Sequence, residues 1–239
     1  MLKDLLEKDF VSHHGIHVSP VADAVMVSSA SCHCCAYGRC CCPCGCFDLD
    51  DMPSPVQVLP LREGKVSFEN KVHGEIEVVA YENFVNQCTR PASFLKGRKK
   101  CDYVLKHTDT SGYVLLLEVT SALGSIENLM KPTHKFQGGK FEKAEYQLGS
   151  SLDDLLDVPS IAKCLKAMRH RICLMAYKVL PHTDPMYLML HPYTNPYERY
   201  LSVEAEATAE NGAIVPCPMI EQKGFEYRRI DHRKVFSLN

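Results

Sequence analysis

Two sets of side chains in this sequence have the types and spacing that chemistry requires. The first is a pair of acids, Asp102 and Glu118, on two β-prone runs, CDYVLKH at 101–107 and YVLLLEVT at 113–120. Antiparallel pairing of such runs brings residues that are distant in sequence side by side across the strands. Glu118 stands in an otherwise apolar run, where an uncompensated charge is costly. It is therefore the acid most in need of a functional explanation. Hard oxygen ligands of this kind favour Mg²⁺ or Mn²⁺. The second set is a dense cysteine segment, Cys32, Cys34, Cys35, Cys40, Cys41, Cys42, Cys44 and Cys46, with His33 inside it.

Thiolates are soft ligands that suit Zn²⁺, Cu(I) and iron-sulfur clusters. A single zinc site usually draws on two well-separated C-x2-4-C pairs, and this segment is denser than that. Adjacent cysteines cannot all reach one ion, so either two metals share the thiolates or several are spare. Zinc is the expected occupant. An iron-sulfur cluster comes second, because the usual C-x2-C spacing is not matched. A cysteine-rich loop that holds no metal is the plain alternative. His13, His14 and His17, around Gly15, either complete such a site or form an exposed loop.

The elements that must position these groups can be read in outline. Leu2, Leu5 and Leu6 suggest a short N-terminal helix. Asp48, Asp50, Asp51, Pro53, Ser54 and Pro55 break any regular pattern and read as a linker. Short alternating stretches from Val66, as in Glu75 to Ala80, predict strands leading into a mixed segment at Tyr81 to Cys88. The two runs carrying Asp102 and Glu118, separated by Thr108 to Gly112, predict a β-hairpin. Val114 to Val119 reads as a central strand buried on both faces. Phe141, Ala144, Leu148, Leu152 and Leu155 form a helical apolar stripe over 140–156. A second helix is expected over 160–169, then an apolar strand at 171–180 and a terminal hairpin in the last fifty residues.

The bulk composition bounds the rest. With 239 residues, 46% of them hydrophobic, the chain can bury a proper core. The expected organisation is an N-terminal region at 1–55 carrying the cysteine segment, then one α/β domain at 56–239. A formal net charge of −2 argues against coating nucleic acid by bulk charge. Local basic clusters remain at Lys96, Arg98, Lys99 and Lys100, at Lys163, Lys166, Arg169, His170 and Arg171, and at Arg228, Arg229, Arg233 and Lys234. Such runs are solvated faces or phosphate contacts. Thirteen cysteines without a secretory signal point to reduced thiols and a cytoplasmic protein. No apolar run is long enough to cross a membrane. Phosphate-loop, dinucleotide-binding, H-E-x-x-H and G-x-S-x-G motifs are absent. Cys164 and Cys173, in apolar surroundings, read as core packing.

The stretch CDYVL, a short turn, YVLLLEVT and the helix containing KAEYQL resembles the core of the PD-(D/E)XK nuclease superfamily over roughly 101–180. The resemblance implies a restriction-endonuclease-like mixed sheet flanked by helices, with Asp102 and Glu118 holding Mg²⁺ or Mn²⁺ for phosphodiester cleavage in DNA or RNA. Thr120 stands where the family has lysine. In some members that lysine moves to the following helix, where Lys143 is the best candidate and Lys140 the second. Lys143 and Gln147, at i and i+4, point along one edge. Glu82 would supply the upstream acid that many members also use. Two other readings stay open. One is a catalytically inactive module of the same fold that binds nucleic acid, a protein partner or a second copy; the other is a metal or redox sensor built on the thiolates.

Overall fold

The computed structural model describes residues 1–28, 45–50, 55–71, 74–88, 100–124, 127–180 and 210–239. The chain opens with a helix that runs from α1 (Leu2–Leu5) through a π-helical turn (Leu6–Phe10) into α2 (Val11–His13). Leu2, Leu6 and Phe10 recur every four residues and are fully buried, as one apolar stripe requires. The first turn leaves backbone donors without helical partners. Glu77 supplies them, accepting the N–H groups of Leu2 and Lys3 at 2.7 and 2.9 Å.

The strands are β1 (Ala24–Ser28), β2 (Cys46–Leu49), β3 (Val66–Glu69), β4 (Glu75–Ala80), β5 (Tyr103–His107), β6 (Tyr113–Leu123), β7 (His170–Leu180), β8 (Ala213–Ile214), β9 (Glu226–Asp231) and β10 (Val235–Ser237). Seven of them form a mixed sheet in the order β1-β4-β5-β6-β7-β9-β8. Pairing is antiparallel from β1 to β6, parallel across β6, β7 and β9, and antiparallel again at β8. The remaining three form a second sheet, β10-β3-β2.

Alternation along β6 divides the core in two. Val114 and Leu116 face the helices, while Leu115, Leu117 and Val119 face the second sheet, as the two-residue period of a strand dictates. Each of these buried side chains contributes about 1.5–3 kcal/mol. The protein is thus mixed α/β in three layers, with helices on one face of the main sheet and the small sheet on the other. Residues on both sides of position 55 build both apolar clusters: Phe10 packs with Phe84, and Phe47 with Phe68.

The hairpin at β5 and β6 forms as the turn residues predict. Asp109 accepts the N–H of Ser111 at 3.0 Å, closing the loop on itself. At Gly112 a side chain would collide with the His107 ring. Helices α3 (Tyr81–Cys88), α4 (Glu127–Met130), α5 (Gly139–Asp157) and α6 (Pro159–Lys166) follow the strands, and α7 (Pro218–Glu221) precedes β9. The stripe of α5 is buried as read: Phe141, Ala144, Leu148, Leu152 and Leu155 all lie in the helix-side cluster. It starts at Gly139, whose φ of +68 suits glycine. It stops before Pro159, which fixes the preceding Val158 in an extended conformation.

Two sequence expectations are corrected, at Asp48 and at Lys100. Asp48 is not in a linker: it lies on β2, fully buried, with its carboxylate accepting the N–H of Gly64 at 2.9 Å. In the last fifty residues β8 and β9 pair antiparallel, while β9 also pairs with β7 and β10 crosses to β3. Lys100 is not on a solvated face: it is 2% exposed and ion-paired with Asp154 on α5. Lys96, Arg98, Lys99 and all the cysteines from Cys32 to Cys44 lie outside the described residues.

Candidate functional site

The two acids meet because of strand register. Tyr103 is opposite Leu117, so the residue before one, Asp102, adjoins the residue after the other, Glu118. Asp102 is fixed from both ends. Its Oδ2 accepts the backbone N–H of Val119 at 2.6 Å. Its carbonyl oxygen accepts the N–H groups of Tyr81 and Glu82, at 2.9 and 3.4 Å, so α3 begins against it. That contact brings Glu82, in the first turn of α3, close enough to act on Glu118 electrostatically.

Glu118 points to the helix side of the sheet and is 5% exposed. Burial, then the Asp102 and Glu82 charges, push its carboxyl up to about 9, against the pull of Lys143 and of the Gln147 hydrogen bond. Desolvation and like charges both disfavour the ionised form. Gln147, on α5, donates its Nε2 hydrogens to Glu118 Oε2 at 2.8 Å and to the Lys100 carbonyl at 2.7 Å. Its own Oε1 is buried and accepts no hydrogen bond among the described residues.

A supporting shell, not foreseen from the sequence, lies one and two turns further along α5. Ser151 Oγ accepts the N–H of Cys101 at 2.9 Å and donates to the Gln147 carbonyl at 2.7 Å. Asp154 ion-pairs with Lys100. Gln147, Ser151 and Asp154 are spaced four and three residues apart, so they share one helix face. Together they clamp residues 100 and 101 and so set the position of Asp102. The helical spacing was the available signal, but Lys100 looked like one more member of a basic run.

Lys143 is half-buried on α5, and its charge draws the Glu118 carboxyl down. Lys140, one turn earlier, donates to the Ser121 carbonyl near the end of β6. Burial, then the neighbouring Lys143 charge, lower its pKa. Thr120 is half-buried, two residues after Glu118. The sequence-predicted residues Glu82, Asp102, Glu118, Lys143 and Gln147 therefore gather at one place. Comparison with protein-family models, with curated proteins and with solved structures gives no match.

The oxygens of Glu82, Asp102 and Glu118 do not close into a three-ligand set. Among the described residues, the only group of three potential ligands within 4.8 Å is His13, His14 and Asp157. That group is a contact between two helix ends, with His13 Nε2 hydrogen-bonded to Asp157 Oδ2 at 3.1 Å. Mg²⁺ commonly uses one or two carboxylates and keeps several waters. The donor chemistry at Asp102 and Glu118 fits such an ion: its charge would offset the burial and the like charges that drive Glu118 up, beside the Gln147 Oε1, which accepts no hydrogen bond among the described residues.

The remaining expected groups lie elsewhere. Cys46 is half-buried on β2, within the second sheet, whereas Glu118 faces the helices. Cys173 is buried and its thiol is pushed up by desolvation, as core packing requires. Arg169, His170, Arg171 and Arg228 line a cleft of about 220 Å³ at the start of β7. This is the opposite direction along the strand from Met175, the register partner of Glu118. No helix among the described residues is long and apolar enough to cross a membrane.

Proposed function

We propose that the protein is a metal-dependent nuclease of restriction-endonuclease-like fold that hydrolyses phosphodiester bonds in DNA or RNA. One observation carries this reading: Asp102 and Glu118 adjoin across the hairpin, and Glu118 is buried, held by Gln147 and under the influence of Lys143. A buried acid in this setting is an expensive feature that packing alone does not call for. The fold assignment is supported by the antiparallel run β4-β5-β6, the helical connection through α5, and the return of β7 parallel to β6.

Asp102 and Glu118 would hold the Mg²⁺ or Mn²⁺. The ion would supply Lewis-acid stabilisation of the charge that develops on the phosphodiester oxygens. The chain's own residues do the positioning. Val119 fixes the Asp102 carboxylate, Gln147 fixes Glu118, and the Lys100–Asp154 pair anchors the strand entrance. Lys143 brings to the rim the positive charge that Thr120 cannot bring from the strand.

The test is to incubate the full chain with single- and double-stranded DNA and RNA in Mg²⁺ or Mn²⁺, beside Glu118→Gln and Asp102→Asn. The expected result is metal-dependent cleavage that each variant lowers by at least about a hundredfold, the scale of losing a stabiliser of developing charge. Equal turnover by wild type and Glu118→Gln, or none on any substrate, would refute it. Thr120 favours a second reading, a module of the same fold that binds without turnover. Salt-sensitive binding in the absence of any cleavage would select that one.

A further inference from the structure

We propose that the surface leading out of the carboxylate site binds single-stranded nucleic acid, with Phe136 and Tyr146 stacking on unpaired bases. The inference rests on the nuclease reading for its placement and adds the strand state of the substrate. Tyr146, on α5 beside Gln147, is 41% exposed. Its ring lies 5.9 Å from that of the half-exposed Phe136, tilted at 49°. The pair forms a stepped aromatic platform facing outward. Leu123, at the end of β6, and Met130, in α4, are exposed apolar side chains, 56% and 55% accessible.

Positive charge predominates around this platform, with Lys131, Lys135 and Lys143 against the exposed Glu142. Lys131 and Lys135 are exposed and form no ion pair with any described residue. Of the two acids on the same turns of α5, Glu145 is paired with Arg229 at 2.7 Å, while Glu142 keeps its charge and accepts the N–H of Gly138 at 2.7 Å. Lys143 joins the surface to the site, because its charge acts directly on Glu118. Lysines beside exposed ring faces are the combination that captures a single strand, through phosphates and base stacking together. In a duplex the bases are already stacked on one another, so only edges and phosphates remain for contact. The rings therefore select unpaired bases.

The test is fluorescence anisotropy of the full chain in EDTA, with a labelled single strand longer than a site of about 4–16 nucleotides and with its duplex. The single strand is expected to bind at least about tenfold more tightly. Tyr146→Ala and Phe136→Ala should each weaken single-strand binding by about five- to a hundredfold while leaving duplex binding unchanged, and Tyr146→Phe should retain it. Lys135→Gln should reduce the salt dependence by about one phosphate contact. Equal binding of both forms, indifference to Tyr146→Ala, or no binding at all would overturn the inference. Cleavage that needs Glu118 but ignores Tyr146 ends this proposal and leaves the nuclease standing. Ring-dependent single-strand binding without cleavage does the reverse.

Discussion

Replacing Glu118 with glutamine should make the protein more stable, by an amount that depends on pH. In the folded protein the Glu118 carboxyl titrates at about 9, against an ordinary value of 4.5. Between those limits the folded state holds a proton that the unfolded chain has released. The native stability is therefore fully present below about pH 4.5 and is lost progressively as the pH rises toward about 9. Each pH unit in that window removes about 1.4 kcal/mol, so at neutral pH the loss amounts to about 3 kcal/mol at most. Glutamine carries no charge at any pH, has nearly the same volume, and its side-chain oxygen accepts the same hydrogen from Gln147. Urea unfolding of wild type and Glu118→Gln should give coincident midpoints near pH 4.5 and a widening gap above it. At neutral pH the variant should melt higher by about 6–12 °C, from the usual shift per kcal/mol in a chain this size. Millimolar Mg²⁺ should narrow the gap by stabilising the wild type alone. A gap of the same size at about pH 5 and about pH 8.5 would refute the burial argument.

Three further outcomes follow from the same geometry. Asp154→Ala leaves the Lys100 ammonium buried without its carboxylate and should lower stability by about 3–5 kcal/mol in denaturant titration, whereas Lys100→Met with Asp154→Leu should recover most of it. Gly139→Ala forces a side chain toward the Leu129 carbonyl at a φ of +68; it should lower stability by about 1–3 kcal/mol, read from the melting temperature. Gln147→Leu removes the hydrogen bonds to Glu118 and Lys100; it should cost about 1–3 kcal/mol in urea unfolding, because two buried acceptors lose their donor.

Much of the helix-side architecture was legible because it is local. The hairpin declares itself by two β-prone runs around a polar turn, and α5 by a stripe with helical spacing. The pairing of Asp102 with Glu118 and the reach of Gln147 followed from those two periodicities. Interactions that depend on distant partners were hidden. Asp48 looked like part of an acidic linker, since nothing nearby announced that the Gly64 N–H would reach its buried carboxylate. Lys100 looked solvated because its counter-charge, Asp154, lies on another element. An antiparallel pair near the end of the chain could be expected, and β8 and β9 form one, but the parallel pairing of β9 with β7 and the crossing of β10 to β3 could not. Local patterns fix what an element is; the choice among distant partners is made by the assembled core.

The hairpin has a consequence for the order in which the protein comes together. Its two strands are joined by a short turn, and such units close in about 1–10 μs. The acids can therefore meet as soon as residue 118 is available. Gln147, Ser151 and Asp154 arrive later, on α5, and the β6–β7 pairing waits for the whole helical connection between Leu123 and His170. Long-range parallel pairing of this kind is slow. In the interval Glu118 stands in water as an ordinary carboxylate. Docking of α5 desolvates it, so the folding rate should fall as the pH is raised, and the helix that completes the site should close fastest when the acid has already taken up its proton.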